Sequence, residues 1–183
     1  MTEIICAGFG GQGVLLSGMI IATAGMHAGK NVSWYPSYGS EMRGGTANCN
    51  IKISDEAIAS PYAKNLDILL AMNEPSINKF EEKIKPGGIL LINSSITNAE
   101  RVYREDIQVY SIPASEIAVE LDNPKGLNII MLGALMKASG LFDQEAFKKE
   151  IDDYFMEKKG RHFPKNGLCY DAGTERVELI QEA

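Results

Sequence analysis

Short apolar runs alternate with longer helical patterns along most of the chain. The apolar run at 4–7 ends in glycines and predicts a buried parallel strand. Residues 47–54 alternate apolar and polar side chains with a period of two, which predicts a strand with one exposed face. Pro36 is expected to end the strand that precedes it. The predicted strands are 4–7, 32–35, 47–54, 67–72, 89–92 and 107–112, the last of these being the final strand of the sheet.

Helical periodicity follows most of these strands. Residues 13–28 predict the first helix, in which Gly18 and Gly25 contribute to a smooth face that can pack closely on a sheet. Asn73 is expected to start the next helix. The segment from Gly160 onward is rich in turn formers and is expected to be loosely held. The other predicted helices are 75–83, 114–121, 127–138 and 144–158.

Strands that alternate with helices indicate an α/β fold. We expect a doubly wound, mostly parallel, Rossmann-like sheet with helices on both faces and a helical C-terminal portion. The chain has 183 residues, 45% of them hydrophobic, which suits one domain over 1–183. Its sheet core is expected over about 1–140, and a helical extension and tail over about 141–183.

Charge and composition narrow the class of function. The formal net charge is −6 and there is no long basic run, which argues against nucleic acid as a partner. No apolar run reaches about 18 residues, so no membrane span is predicted. The N-terminus lacks the basic segment and cleavage site of a signal peptide, which favours the cytoplasm. The three cysteines lack paired spacings, so we expect this chain to hold no metal or iron–sulfur cluster.

The loop after the first strand carries three glycines, Gly8, Gly10 and Gly13, in the pattern G-x-G-x-x-G. Such a loop lets backbone N–H groups and a helix N-terminus approach a phosphate. A dinucleotide site also needs an acid at the end of the second strand, and 33–36 has none. Three interpretations stay open: a tight turn with nothing bound, NAD(P) binding, or a site for another ligand's phosphate or a partner's backbone.

A second glycine-rich loop, Ser37–Thr46, joins two predicted strands. Tyr38, Glu41 and Arg43 place a ring, an acid and a base on it, and Glu41 and Arg43 point the same way on an extended segment. They are interpreted either as a solvated surface ion pair or as groups facing a ligand or partner. Because each loop follows an apolar run, both are expected to open at one edge of the sheet.

The two motifs together resemble the gamma subunit, or gamma domain, of the 2-oxoacid:ferredoxin oxidoreductases. That family carries a G-x-G-G-Q-G loop, found here at 8–13, followed by S-Y/F-G-x-E-x-R-G, found here at 37–44. The resemblance covers most of 1–140. The form from Glu41 to Cys49, with Met42 where the pyruvate branch more often has a second arginine, resembles the 2-oxoglutarate branch.

The resemblance implies an accessory subunit of an enzyme that converts a 2-oxoacid into acyl-CoA, carbon dioxide and reduced ferredoxin. Thiamine diphosphate and iron–sulfur clusters are then held by alpha, beta and delta partners, and this chain has no catalytic residue of its own. Both loops are expected to face those partners and coenzyme A. The implied site residues are Gly8, Gly10, Gly11, Gln12, Gly13, Ser37, Tyr38, Gly39, Glu41, Arg43 and Gly44.

Within that interpretation, Arg43 pairs with a phosphate or a partner carboxylate through its bidentate fork, and Glu41 orients it. The isolated chain is expected to be inactive, and it can also form a homodimer through surfaces meant for partners. The alternatives are a gamma subunit of a pyruvate or branched-chain enzyme, a stand-alone nucleotide-binding reductase, and a non-catalytic interaction module.

Overall fold

The computed structural model describes residues 1–38 and 45–183, and its centre is a seven-stranded sheet in the order β2-β3-β1-β4-β5-β6-β7. The central strands β1, β4, β5 and β6 are parallel, β3 and β7 pair antiparallel with β1 and β6, and β2 pairs antiparallel with β3. The predicted α/β fold with a mostly parallel sheet is confirmed. The strands are β1 Thr2–Phe9, β2 Asn31–Tyr38, β3 Thr46–Ser54, β4 Leu66–Ala71, β5 Ile84–Asn93, β6 Gln108–Ile112 and β7 Glu178–Gln181.

Helices cover both faces of this sheet. On one face, a large apolar core lies between the sheet and five of the six helices found in the described ranges, while Ile77 and Phe80 of α2 pack in a smaller core on the other. Asn73 starts α2 as predicted, because its Oδ1 accepts a hydrogen bond from the Ser76 N–H at 2.9 Å. The helices are α1 Val14–His27, α2 Glu74–Phe80, α3 Ala114–Glu120, α4 Leu127–Ser139, α5 Gln144–Lys159 and α6 Pro164–Arg176. None of the helices in the described ranges is long and apolar enough to cross a bilayer.

The second strand continues through Pro36, so the prediction that this proline ends it is wrong. Strand β2 pairs only with β3 and forms one edge of the sheet, with Pro36 opposite Cys49. A proline is tolerated at a sheet edge because its missing N–H need not face a second neighbour. The loop that follows therefore begins only after Tyr38.

Strand β3 has both faces covered, so the half-exposed strand predicted at 47–54 is also wrong. Its polar side chains Asn48, Asn50 and Lys52 are buried. Asn50 Oδ1 accepts a hydrogen bond from the Ala63 N–H at 3.0 Å, and Lys52 Nζ lies 2.9 Å from Glu3 Oε1. The alternating polar residues of β3 therefore indicate hydrogen-bond and ion-pair partners within the fold, not a solvent-exposed face.

The C-terminal residues are an integral part of the fold. The segment expected to be loosely held forms α6 and β7, and β7 pairs with β6, so 107–112 is not the last strand. Helix α6 packs tightly on α4, where a Cβ on Gly173 would stand 2.1 Å from the Ile130 carbonyl oxygen. Close packing of one helix backbone on another depends on glycines rather than on apolar side chains, so the apolar pattern of the sequence does not predict it.

Candidate functional site

The two glycine-rich loops meet at one edge of the sheet, as the sequence predicts. Strands β1 and β2 both run antiparallel to β3, so they end at the same edge. The Gly10 N–H donates a hydrogen bond of 3.0 Å to the Gly45 carbonyl oxygen. Phe9 and Tyr38 lie opposite the neighbouring residues Thr46 and Ala47 of β3.

A cavity of about 320 Å³ opens between these loops and the first turn of α1. Both loops contribute to its wall, and Val14, Leu15 and Leu16 of α1 line it as well. The volume falls at the lower end of the range typical of small-ligand sites. The lining residues are Phe9, Gly10, Gly11, Gly13, Val14, Leu15, Leu16, Tyr38, Gly45, Thr46 and Ala47.

The first loop needs glycine for two different reasons. Gly11 and Gly13 have φ angles of +100° and +77°, a region that L side chains rarely adopt. Gly8 is required for space, because a Cβ there would stand 2.6 Å from Gln12 Oε1 and 3.0 Å from Met72 Cβ. The motif G-x-G-x-x-G therefore encodes a tight turn in this chain, whatever it binds.

Gln12 holds that turn closed from within. Its Oε1 accepts a hydrogen bond from the Phe9 N–H at 2.7 Å, and its Nε2 donates to the Met72 carbonyl oxygen at 3.2 Å. The amide thus ties the first loop to the end of β4. The binding role predicted for Gln12 stays a prediction, and this structural role was not anticipated.

The start of α1 lies in the cavity wall and has no side-chain cap among the described residues. Gly13 precedes the helix without a side-chain cap, and no acidic residue lies in the first turn. The first N–H groups of a helix have no partner inside the helix and carry a partial positive charge. This corner of the cavity is suited to an anion such as a phosphate.

The second loop is described only at its two ends. Ser37 and Tyr38 are exposed, with Tyr38 at 66% of its full surface, and Gly45 lies in the cavity wall. The predicted site residues Gly39, Glu41, Arg43 and Gly44 lie outside the described residues. Their assigned roles stay predictions.

Asn128 is a buried neighbour of the first loop that sequence reasoning missed. It is only 3% exposed, and a Cβ on Gly13 would stand 2.7 Å from its Cγ. Its Nδ2 has no hydrogen-bond partner among the described residues. The available signal was a lone amide in an otherwise apolar run from Leu127 to Met136.

The cysteines do not form a cluster site in the described part of the chain. Cys6 and Cys49 lie opposite each other on β1 and β3, whereas Cys169 lies on α6, and all three are buried. A hydrogen bond with Cys49, together with burial, raises the pKa of the Cys6 thiol, and burial also raises the pKa of Cys169. Within 1–38 and 45–183, no three His, Cys, Asp or Glu residues are grouped so that they could hold a metal ion. These residues do not fit an iron–sulfur cluster.

Sequence comparison identifies relatives along almost the whole chain. The profile of the family described as pyruvate ferredoxin/flavodoxin oxidoreductase matches residues 3–176. The 2-oxoglutarate synthase subunit KorC of Methanocaldococcus jannaschii is 35% identical, over 94% of this chain and 92% of that protein. The pyruvate synthase subunit PorC of Thermotoga maritima is 31% identical, over 98% and 96%.

A longer relative shows that this unit also occurs inside larger chains. The ketoisovalerate oxidoreductase subunit VorA of Methanothermobacter thermautotrophicus is 39% identical over 92% of this chain, but over only 35% of its own length. The chain likewise spans 32% of the VorA protein of Methanothermobacter marburgensis. It thus covers about a third of these two curated relatives.

Solved structures agree with the sequence relatives. The gamma subunit of the keto/oxoacid ferredoxin oxidoreductase from Geobacter sulfurreducens is similar with a TM-score of 0.75 at 28% identity, covering 96% of this chain and 97% of that one. The 2-oxoglutarate:ferredoxin oxidoreductase from Magnetococcus marinus, with 2-oxoglutarate, coenzyme A and succinyl-CoA bound, gives 0.82 at 29% identity, over 94% of this chain and 30% of that one. With its motifs, fold and sequence in agreement, the chain belongs to the pyruvate ferredoxin/flavodoxin oxidoreductase family.

Proposed function

We propose that this chain is the gamma subunit of a cytoplasmic 2-oxoacid:ferredoxin oxidoreductase. In that role it docks on alpha and beta subunits, with a delta subunit completing the complex, and it supplies two loops to the edge where coenzyme A enters. The complex oxidatively decarboxylates a 2-oxoacid to acyl-CoA and passes the electrons to ferredoxin or a similar acceptor. The chain contributes binding and enclosure, while its partners hold thiamine diphosphate and the iron–sulfur clusters.

The observation that carries the proposal is the contact between the two glycine-rich loops that contain the family motifs, at the described end of the second loop. A 3.0 Å backbone hydrogen bond joins Gly10 to Gly45, and the cavity beside it is lined by both loops. Two loops that are separate in sequence thus line one cavity with their described residues. Their common position favours one shared role over two unrelated turns.

The chemistry of this edge suits an elongated ligand that carries phosphates. Uncapped N–H groups at the start of α1 can receive a phosphate oxygen, and Leu15 and Leu16 offer apolar contacts beside them. Coenzyme A would supply the thiol that accepts the acyl group. Tyr38, exposed on the rim, can cover such a ligand or pack against a partner.

The sheet order argues against the stand-alone reductase. In a dinucleotide fold, the second strand lies beside the first and presents an acid to the ribose. Here antiparallel β3 takes the place beside β1, and β2 lies one position further out. The end of β2 is therefore displaced from the position that a ribose-binding acid would occupy.

We favour 2-oxoglutarate as the substrate because the stretch from Glu41 to Cys49, including Met42, resembles that branch of the family. The names of the relatives include 2-oxoglutarate, ketoisovalerate and pyruvate enzymes. A panel of these three oxoacids, assayed with coenzyme A and a viologen dye as acceptor, distinguishes them. The highest kcat/KM is expected with 2-oxoglutarate.

The test is reconstitution with tagged alpha and beta subunits. The wild-type chain should co-purify with them and restore dye reduction that depends on the oxoacid and coenzyme A. Arg43→Ala should raise the KM for coenzyme A about tenfold, or weaken assembly to a similar degree, since one charge-assisted contact is lost. Tyr62→Ala is the matched control, because Tyr62 is 53% exposed and does not line the cavity.

Two outcomes would contradict the proposal. One is a purified single chain that oxidises a 2-oxoacid unaided. The other is a chain that never co-purifies with alpha and beta subunits and whose omission leaves their activity unchanged.

A further inference from the structure

Two cysteines lie side by side beneath the glycine-rich loops. Cys6 on β1 is directly opposite Cys49 on β3, and both side chains belong to the same large core, so they point to one face of the sheet. A hydrogen bond joins the two thiols. Cys169 lies on α6, where its sulfur accepts a hydrogen bond from Asn123 Nδ2 at 3.4 Å. The three cysteines therefore comprise one adjacent pair and one separate thiol.

The backbone geometry of this pair suits a disulfide. The hydrogen bond from the Gly10 N–H to the Gly45 carbonyl oxygen extends the β1–β3 ladder by one step. Because hydrogen-bonded and non-hydrogen-bonded pairs alternate along an antiparallel ladder, Cys6 and Cys49 form a hydrogen-bonded pair, whose Cα atoms lie about 5.5 Å apart. Disulfides join Cα atoms that are about 4.4–6.8 Å apart. Closure requires the Cβ atoms to approach by only about 1 Å.

The Cys49 sulfur also contacts the helix that lines the loop cavity. It packs where only glycine leaves space, since a Cβ on Gly18 would stand 2.2 Å from the sulfur. The thiol donates a hydrogen bond of 3.7 Å to the carbonyl oxygen of Val14, in the first turn of α1. Val14 lines the cavity between the two loops. Oxidation of Cys49 removes this donor, so the state of the pair is coupled to the cavity wall.

Burial controls how fast the pair can react. Both thiols are completely buried, so an oxidant reaches them only when the sheet opens locally. Strand β3 lies next to the edge strand β2, which pairs with no other strand of the described sheet. Opening of this edge pair is the shortest route to the thiols. A disulfide formed there is screened from reductants by the same packing.

We propose that Cys6 and Cys49 are a redox site that forms a reversible disulfide with hydrogen peroxide as the oxidant. In the opened state, one thiolate attacks a peroxide oxygen and breaks the O–O bond, which gives a sulfenic acid and, after protonation, water. The second thiol attacks that sulfur, forms the S–S bond and releases a second water. Two electrons and two protons thus pass from the thiols to the peroxide.

This inference does not rest on the proposed function. The disulfide concerns the chain alone, whereas the subunit role requires partners. Failure of the complex to assemble would leave the redox site unchanged. Absence of the disulfide would likewise leave the subunit role intact.

The test is peptide mapping of the full native chain after incubation with hydrogen peroxide. The treated protein is unfolded in N-ethylmaleimide, which blocks free thiols, and is digested with trypsin. Cys6 and Cys49 lie in the tryptic peptides 1–30 and 44–52. These peptides are expected to appear joined, at least about tenfold more abundantly than any link to Cys169, because the opposed thiols have a high effective concentration. Dithiothreitol should separate them and restore both thiols.

Cys169→Ala is the matched control and should leave the link between 1–30 and 44–52 unchanged. Cys49→Ala should abolish that link. The wild-type result decides even if a variant folds poorly: the proposal is overturned if the peptides stay separate, if links to Cys169 are as abundant, or if the link forms only in denaturant. Amide hydrogen exchange over 14–18 should also differ at least about twofold between the reduced and oxidised chains. Identical exchange would overturn the coupling of the pair to α1.

Discussion

At the scale of single residues, Glu3 and Lys52 show how this chain buries charge. Glu3 Oε1 lies 2.9 Å from Lys52 Nζ, and Oε2 accepts hydrogen bonds from the N–H groups of Lys64 and Asn65 at 2.6 and 3.0 Å. Burial alone would raise the pKa of Glu3, but these contacts outweigh it and hold the pKa below its ordinary value. The carboxylate is thus stabilised in its charged form.

Glu3→Gln is expected to destabilise the protein by about 3 kcal/mol at neutral pH, because it leaves the Lys52 ammonium buried without its counter-ion. Since the folded-state pKa of Glu3 is lowered, its stabilising contribution is present above the unfolded pKa and is lost as pH falls through the folded value. Denaturant unfolding from about pH 7 to about pH 3 should therefore show a smaller loss of stability with acid in the variant than in the wild type.

Lys30→Gln is the control for this comparison. Lys30 pairs with Asp55, whose side chain is 83% exposed, so the change should cost only about 0–1 kcal/mol. Equal losses of stability in Glu3→Gln and Lys30→Gln would show that burial does not strengthen the Glu3–Lys52 pair.

At this scale the sequence predicts the glycine loop, but it does not predict the side chains that contact and stabilise that loop. The positions of Gly8 and Gly13 follow from the motif, because few other residues fit their space or backbone angles. The bond from Gln12 to Met72 and the position of Asn128 beside Gly13 were not predicted, since each joins residues far apart along the chain. Contacts between residues so far apart in sequence cannot be predicted from the spacing of residues within one motif.

At the scale of elements, the packing of α4 on α6 depends on two glycines. A Cβ on Gly133 would stand 2.2 Å from the Tyr170 carbonyl oxygen, and one on Gly173 would stand 2.1 Å from that of Ile130. Backbone atoms cannot rotate away as side chains do, so the helices would have to separate. Helix α4 is buried along most of its length, and its burial depends on the close packing of α6 against it.

Gly173→Ala is expected to lower the free energy of unfolding by about 2–3 kcal/mol through this clash. Gly167→Ala lies in the same helix, where the nearest atom to a new Cβ is Lys148 Cε at 3.6 Å, an ordinary contact. It should be neutral or stabilising by up to about 1 kcal/mol, because alanine favours helix. Chemical denaturation of the two variants makes the comparison, and equal effects would contradict the close-packing argument.

Most helices and the central strands were predictable because their periodicities are strong and uninterrupted. The differences occur where tertiary context overrides the pattern. Pro36 is tolerated because β2 is an edge, and the polar side of β3 is buried because Asn50 and Lys52 find partners within the fold. Strand β7 is too short and too exposed for an apolar pattern to predict it.

At the scale of the whole molecule, we propose that 1–183 is one domain. Strand β7 joins the same sheet as the strands before residue 140, and Gln181 Nε2 donates to the carbonyl oxygens of Arg104 and Ile107 at 2.6 and 3.1 Å. The C-terminal segment therefore completes the sheet and also covers α4. A domain boundary near residue 140 would separate β7 from the rest of its sheet and α4 from the helix that covers it.

Truncation after Gly160 removes α6 and β7, and it is expected to abolish the cooperative thermal transition. The buried surface of α4 would be exposed and the protein should aggregate. Removal of Glu182 and Ala183 alone, which are exposed and lie beyond β7, should leave the melting temperature unchanged. A truncated 1–160 chain that melts like the full protein would show that the tail is dispensable.

The hydrogen bond from Gly10 to Gly45 ties the first loop to the described end of the second. In the proposed function, a partner that contacts Gly45 also steadies the first loop, so docking and ligand binding are expected to be thermodynamically linked. By reciprocity, each event strengthens the other by the same factor. If that linkage holds, the proposed complex is expected to bind coenzyme A more tightly than the isolated chain does.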